Sequence, residues 1–238
     1  MSYEVILFDA DDTLFDYSAA EAFALERAFG NIPLECSPEL IESYRTINQQ
    51  LWNEFELGTV TLNLLRSERF KRLFERHQLK VDIHPEQFSE TYLQHLAASA
   101  FLIDGAVELC EYLKSDGYRL AVITNGIKEV QLGRIGLSAL SEAFELIVVS
   151  EDAGVQKPQA AIFEYTMERL GFVEKNKVLM VGDSLTSDIR GGINYGIDTC
   201  WFNPKDKRNI SEIQPTYEIA QLSELKAILQ SKRSGSGV

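Results

Sequence analysis

Cysteine is scarce in this chain of 238 residues: there are three, Cys36, Cys110 and Cys200, in no metal-ligand spacing. An odd number cannot pair fully within one chain, which argues against a disulfide framework and for a reducing, cytoplasmic setting. Long apolar runs are missing as well. None approaches the roughly 20 residues that a membrane helix needs, so no membrane partner is expected. The first residues lack the basic-then-apolar pattern of a secretory signal. Positive charge is in short supply too, with 23 Lys and Arg against 36 Asp and Glu and a net charge of −13. A surface that acidic repels phosphate polymers, so a nucleic-acid partner is not expected. A small anion stays compatible with a site that carries its own cations. No internal repeat or low-complexity linker interrupts the chain.

What is present is an ordinary globular composition, 45% hydrophobic and 25% charged, enough to bury a sizeable core. In the C-terminal half, apolar runs bounded by turns alternate with helix-like stretches. The runs are YRLAVITNG (118–126), FELIVVS (144–150), NKVLMVGD (176–183) and IDTCWF (197–202), and YEVILFD at the start has the same form. The helix-like stretches lie near 104–115, 127–137, 158–170 and 186–195. Strands that are apolar along their whole length, alternating with helices, predict an α/β fold with a Rossmann-like parallel sheet covered on both faces.

Between the first strand and the resumption of this pattern, the chain carries apolar residues only at helical spacing. Four helices are predicted in SAAEAFALERAFG, PELIESYRTINQQLWNEFELG, TLNLLRSERFKRLFERH and PEQFSETYLQHLAASA. Ser18, Ser37–Pro38 and His84–Pro85 serve as starts, Gly30 and Gly58 as stops. The expectation is a core over 1–16 and 99–232 with an all-helical insertion over 17–98. The small, polar end SKRSGSGV reads as disordered, with 233–238 taken as tail. The interleaved charges of RSERFKRLFERHQLK (66–80) read as a solvated helix face laced with ion pairs.

Ligands of an open parallel sheet bind at the carboxyl ends of its strands. The first strand ends at Asp9, followed by Asp11 and Thr13; the second ends in Thr124, Asn125 and Gly126. SEDAGVQKP after the third carries Lys157, and GDSLTSD after the fourth carries Asp183 and Asp188. Carboxylates collected there suit Mg²⁺, a hard cation that takes a few carboxylates with water and phosphate oxygens. Such a cation explains how the aspartates coexist, and Lys157 further offsets their repulsion. Thr124 and the amides of Asn125 and Gly126 offer neutral donors to an anion. With that repulsion cancelled, a carboxylate can act as a nucleophile. Asp12 reads as a turn residue and Asp16 as the start of the linker into the insertion.

The ordered set D-x-D-x-T (9–13), a strand into Thr124-Asn125-Gly126, Lys157-Pro158 and G-D-x-x-x-x-D (182–188) resembles the haloacid dehalogenase superfamily. The helical insertion stands where members with a type I cap carry theirs. The resemblance implies that Asp9 attacks phosphorus and that Asp11 protonates the leaving alkoxide and later activates water. It implies that Asp9, the backbone carbonyl of Asp11, and Asp183 hold Mg²⁺. Thr124 and Lys157 would bind the transferring phosphoryl group, with Thr13 in support and Asp188 orienting Lys157 or a metal-bound water. Asp11 argues against the dehalogenase branch, which lacks that acid, and the absent membrane segments argue against transport ATPases.

Longer stretches, among them VITNG…VQL.R, VVSEDAGVQKP and LMVGDSLTSDIRGGINYGIDTCWFNP, look like the pyrimidine-type 5′-nucleotidases of that superfamily. This implies hydrolysis of a small phosphomonoester, a nucleoside monophosphate such as dUMP or dTMP. A sugar-phosphate or phosphoglycolate phosphatase and a β-phosphoglucomutase-like phosphomutase are the alternatives. Asp12, standing where the mutases usually carry glycine, lowers the last. Phe15, Tyr17, Asn48 and Trp52 are candidates to contact the base, against the ordinary habit of aromatic residues to pack in cores. A receiver-like phospho-signalling module is the non-enzyme rival. The helical insertion and the acidic motif on the first strand count against it.

Overall fold

All four residues of β1 (Val5–Phe8) are fully buried. A strand with no polar face belongs in the middle of a sheet covered on both sides. It lies between β2 (Arg119–Thr124) and β4 (Val178–Gly182), parallel to both, with Val5 opposite Arg119 on one side and Val178 on the other. β3 (Leu146–Val149) pairs with β2, β5 (Asp198–Phe202) with β4, and β6 (Tyr217–Ile219) with β5. The six-stranded order is β3-β2-β1-β4-β5-β6, which in this computed structural model is parallel throughout. This is the doubly wound order whose ligand crevice opens where the winding reverses, beside β1.

The structure describes residues 3–234. They form two compact units, one holding the chain up to Tyr17 and from Ala100 onward, the other Ser18–Ser99. In the first unit, successive strand residues point to opposite faces. Ile6, Phe8, Val122 and Val181 pack with Leu109 and Leu113 of α5 (Ala106–Ser115) and with Leu225 and Leu229. Val5, Leu7, Ile123 and Met180 pack with Ile162, Phe163 and Met167. The remaining helices of this unit are α6 (Lys128–Leu137), the single turn α7 (Ser150–Ala153), α8 (Ala160–Leu170), α9 (Arg190–Tyr195) and α10 (Leu225–Ser234).

Two expectations need correction here. β6 was missed because it is three residues long, follows a proline and lies at the sheet edge, so no apolar run announces it. The polar end read as disordered is helical through Ser234. Buried Leu225 and Leu229 anchor α10, and Lys232 pairs with Asp198 at 3.3 Å. Residues 235–238 lie outside the described residues.

The second unit holds α1 (Tyr17–Phe29, its first residue belonging to the other unit), α2 (Pro38–Glu56), α3 (Leu62–Arg76) and α4 (Pro85–Ala97). Ser37 and Thr61 accept from the amides of Leu40 and Leu64, each at 3.3 Å, and so cap α2 and α3. α1 begins one residue before Ser18, because the Asp12 carboxylate accepts the Tyr17 amide at 3.2 Å. The interior is aromatic: the Phe70 ring lies 4.8 Å from Phe88 and 5.1 Å from Tyr92. α3 departs from a wholly solvated charged face. Arg72 pairs with Glu54 and Glu68 as such a face should, but Arg69 is only 1% exposed, its guanidinium 4.9 Å from the centre of the Tyr92 ring. Cation–π attraction lets an arginine enter an aromatic interior. No described helix is long and apolar enough to cross a membrane.

Candidate active site

Asp9 is the first residue past β1. Its amide donates to Val181 O at 2.9 Å, so the ladder runs one step beyond the strand and sets the carboxylate at the sheet's carboxyl edge. Lys157 meets it there from 148 residues away, its Nζ 2.5 Å from Asp9 Oδ1. The same ammonium reaches Asp188 Oδ1 at 2.8 Å and Ile123 O at 2.6 Å, which uses all three of its protons. Burial works against that charge, but Asp188 and Asp9 outweigh it and hold the lysine above its usual range.

Backbone geometry fixes Lys157 independently of its charge. The Asn125 side chain accepts from the Lys157 amide and donates to its carbonyl, both at 2.9 Å. Asn125 therefore serves the site by clamping the lysine loop, a use of its side chain that the sequence reading did not foresee. The Gly126 amide, expected to face an anion, donates to Thr124 Oγ1 at 3.0 Å. Thr124 keeps its own hydroxyl proton to donate.

Asp188 sits in a single π-helical turn, Leu185–Ile189, a feature found often at functional sites. The turn folds its carboxylate back onto Gly182, where a β-carbon would lie 2.3 Å from Asp188 Oδ2. Only glycine leaves that room. Asp183 follows Gly182 directly and is half-buried. Its carboxylate has no hydrogen-bond or ion-pair partner among the described residues, while its carbonyl accepts from Trp201 Nε1 at 2.8 Å. Trp201 was not anticipated; its indole at the end of β5 was the available signal.

Carboxylate oxygens of Asp9, Asp183 and Asp188 all lie within 4.8 Å of one another. Against them stands one ammonium, and the titration follows. Burial pushes Asp9 up to about 7, with Lys157 pulling it down and Asp188 raising it. Asp183 is held well above the usual carboxylate range by burial, then by Asp188 and Asp9. Three hard oxygen donors, of which that of Asp183 has no protein partner among the described residues and Asp9 and Asp183 are raised first by burial, fit a divalent cation such as Mg²⁺. The resemblance implied the Asp11 carbonyl in that set; the carboxylates grouped here are those of Asp9, Asp183 and Asp188.

Asp11 faces different company. Its side chain is about a third exposed, accepting from Gln131 Nε2 at 2.6 Å and from the fully buried Arg134. Gln131 and Arg134 were absent from the expected site, although their i, i+3 spacing on the helix right after Thr124-Asn125-Gly126 was visible. Thr13 is fully buried, and its hydroxyl makes no hydrogen bond among the described residues. Asp12 has φ +57° and its carboxylate takes the Tyr17 amide, as a turn residue would. Among the base-contact candidates, Phe15 is fully buried with the Arg134 guanidinium 5.2 Å from its ring centre. Tyr17 is half-buried at the start of α1. Asn48 is buried within the helical unit, and half-buried Trp52 lies edge-on to Phe55 at 5.7 Å.

A family model for haloacid dehalogenase-like hydrolases matches residues 3–196. The chain belongs to that family. Among relatives of this hydrolase, the HAD-hydrolase YfnB of Bacillus subtilis is 40% identical over 234 residues, 98% of each chain. A crystal structure of YfnB bound to magnesium superposes with a TM-score of 0.88, 41% identity and coverage of 96% of this chain and 99% of that one. The pyrimidine 5′-nucleotidase YjjG of Escherichia coli is 34% identical over 229 residues, covering 96% of this chain and 99% of YjjG. The pyrimidine 5′-nucleotidase PynA of Streptococcus pneumoniae is 36% identical over 225 residues, 94% of each.

Proposed function

We propose that this hydrolase removes phosphate from pyrimidine (deoxy)nucleoside monophosphates through an aspartyl-phosphate on Asp9, with Mg²⁺ as its cofactor. The observation that carries the reading is Asp9 itself: a strand-end carboxylate aimed by Lys157 beside two further carboxylates. The nucleotide preference rests on the similarity to YjjG and PynA over nearly the full chain.

Asp9, the Asp11 backbone carbonyl and Asp183, with the Asp188 carboxylate beside them, would hold Mg²⁺, which when bound offsets the charge of carboxylates and phosphate. A carboxylate oxygen of Asp9 attacks phosphorus as the ester P–O bond breaks, and Asp11 gives its proton to the departing 5′-oxygen. Thr124 donates to an equatorial oxygen, and the Lys157 ammonium, its protons held by Asp9, Asp188 and Ile123 O, favours through its charge the negative charge that spreads there. Asp11, now a carboxylate, takes a proton from water. The water oxygen attacks the phosphorus, the Asp9–phosphorus bond breaks, and inorganic phosphate leaves.

A phosphate-release screen over dUMP, dTMP, other nucleoside monophosphates, sugar phosphates and phosphoglycolate, each with Mg²⁺ and with EDTA, tests this. A pyrimidine nucleotide is expected to show the highest kcat/KM and EDTA to abolish release. A sugar phosphate or phosphoglycolate that beats every nucleotide would overturn the substrate assignment.

A further inference from the structure

The anchorage of Asp11 asks for an explanation that packing does not supply. Arg134 is 0% exposed on α6, where a leucine or methionine would serve a merely structural helix. Its Nη2 reaches Asp11 Oδ1 and Gln131 Oε1, the latter at 3.0 Å, while its Nε and Nη1 are buried with no hydrogen-bond partner. Burying a guanidinium with unsatisfied donors is unfavourable. Among the described residues, the carboxylate that compensates it is that of Asp11 alone. The face of Phe15 closes the other side, 5.2 Å from the guanidinium carbon. Gln131 is 1% exposed and gives its amide proton to Asp11 at 2.6 Å. It reaches that position across Gly126, where a β-carbon would lie 2.0 Å from Gln131 Nε2. Three features thus converge on one carboxylate: a buried charge, a buried amide and a glycine that lets the amide through.

We propose that Gln131 and Arg134 are positioning residues that set the orientation in which Asp11 delivers its proton to the leaving oxygen. The inference rests on the reading of Asp11 as acid and base. Two donors on one rigid helix face leave the carboxylate one arrangement rather than several rotamers, and small displacements of a proton donor are costly in rate.

Substrates that differ in their need for that proton supply the test. A nucleoside 5′-alkoxide departs only with protonation, whereas p-nitrophenolate leaves without it. kcat/KM, which reports the steps through leaving-group departure, is measured with Mg²⁺ on dUMP and on p-nitrophenyl phosphate. Asp11→Asn is expected to cost dUMP about 10²–10⁴-fold more than p-nitrophenyl phosphate. Arg134→Met and Gln131→Leu should lower dUMP turnover on the order of 10²-fold with p-nitrophenyl phosphate near wild type. Arg134→Lys, which keeps the charge and loses the fork, should fall between. Circular dichroism and melting identify the folded variants, and Gln131→Leu, which leaves no charge uncompensated, stands in where loss of the arginine prevents folding. Equal losses on both substrates in folded variants, or a Gln131→Leu enzyme with the wild-type ratio, would overturn the inference alone. A wild type silent on both substrates, or an Asp11→Asn enzyme that loses both equally, would bring down the acid assignment and this inference with it.

Discussion

Asp9 and Asp11 are two residues apart in sequence and held by opposite means. Asp9 is buried at the end of a central strand, anchored through backbone pairing to β4, and its neighbours are an ammonium and other carboxylates. Asp11 is partly open, and its anchors are side chains on a helix 120 residues later. Burial acts most on Asp9, with its ammonium working against it, whereas Asp11 meets two side-chain donors near solvent. The proposed nucleophile gains from being fixed by an ammonium on one carboxylate oxygen, which leaves the other to face phosphorus. A proton carrier gains from orientation with access to the substrate and to water. One short loop serves both because the strand places one side chain and α6 receives the other.

The largest way to break that contrast is Asp9→Asn, expected to cut turnover at least about 10⁴-fold while folding is retained in circular dichroism; appreciable activity would mean that the nucleophile lies elsewhere. Lys157→Met comes next. It strips two buried carboxylates of their ammonium and should cost about 3–5 kcal/mol, a fall of roughly 10 °C in Tm at this chain length. A melt within a degree of wild type would show that the pair is not what stabilises the edge.

Metal removal sharpens the comparison further. Asp9 titrates near 7 in the fold against its ordinary 3.8, so its protonated form favours the folded state. That contribution is full below the ordinary value and is lost as pH rises through about 7, and the raised Asp183 acts in the same sense. Mg²⁺ held there would replace the missing protons. At a hundredfold excess over its dissociation constant it should add about 2.7 kcal/mol, several degrees in Tm. The gain over EDTA should be larger near pH 8 than near pH 5.5, and scanning fluorimetry that found no difference would reject the acid cluster as the metal site. The smallest effect is expected from Trp201→Phe. Loss of its bond to the Asp183 carbonyl should cost about 1 kcal/mol and raise the Mg²⁺ concentration for half-maximal activity, with KM for nucleotide unchanged.

The parts of the fold legible in the sequence were those whose pattern is local and periodic. β1 through β5 are built on apolar runs, and the four helices of the second unit repeat at helical spacing. β6 is too short to show a period, and Arg69 looks like its solvated neighbours until the rings around it are seen. In the site, the strand-end rule brought Asp9, Thr124, Lys157 and Asp183 to one edge without coordinates. The uses of Asn125, Gln131, Arg134 and Trp201 escaped it. Each works through a contact far away in sequence, and nothing about an asparagine after a threonine says which backbone it will grip.

That grip has a further meaning. By taking both the amide and the carbonyl of Lys157, Asn125 imitates a rung of β-ladder where the sheet has already ended. The loop is told where to sit by an amide and what to hold by an ammonium. Address and cargo are written on different residues, so the charge at position 157 can be exchanged for another chemistry while the loop still comes to the same place.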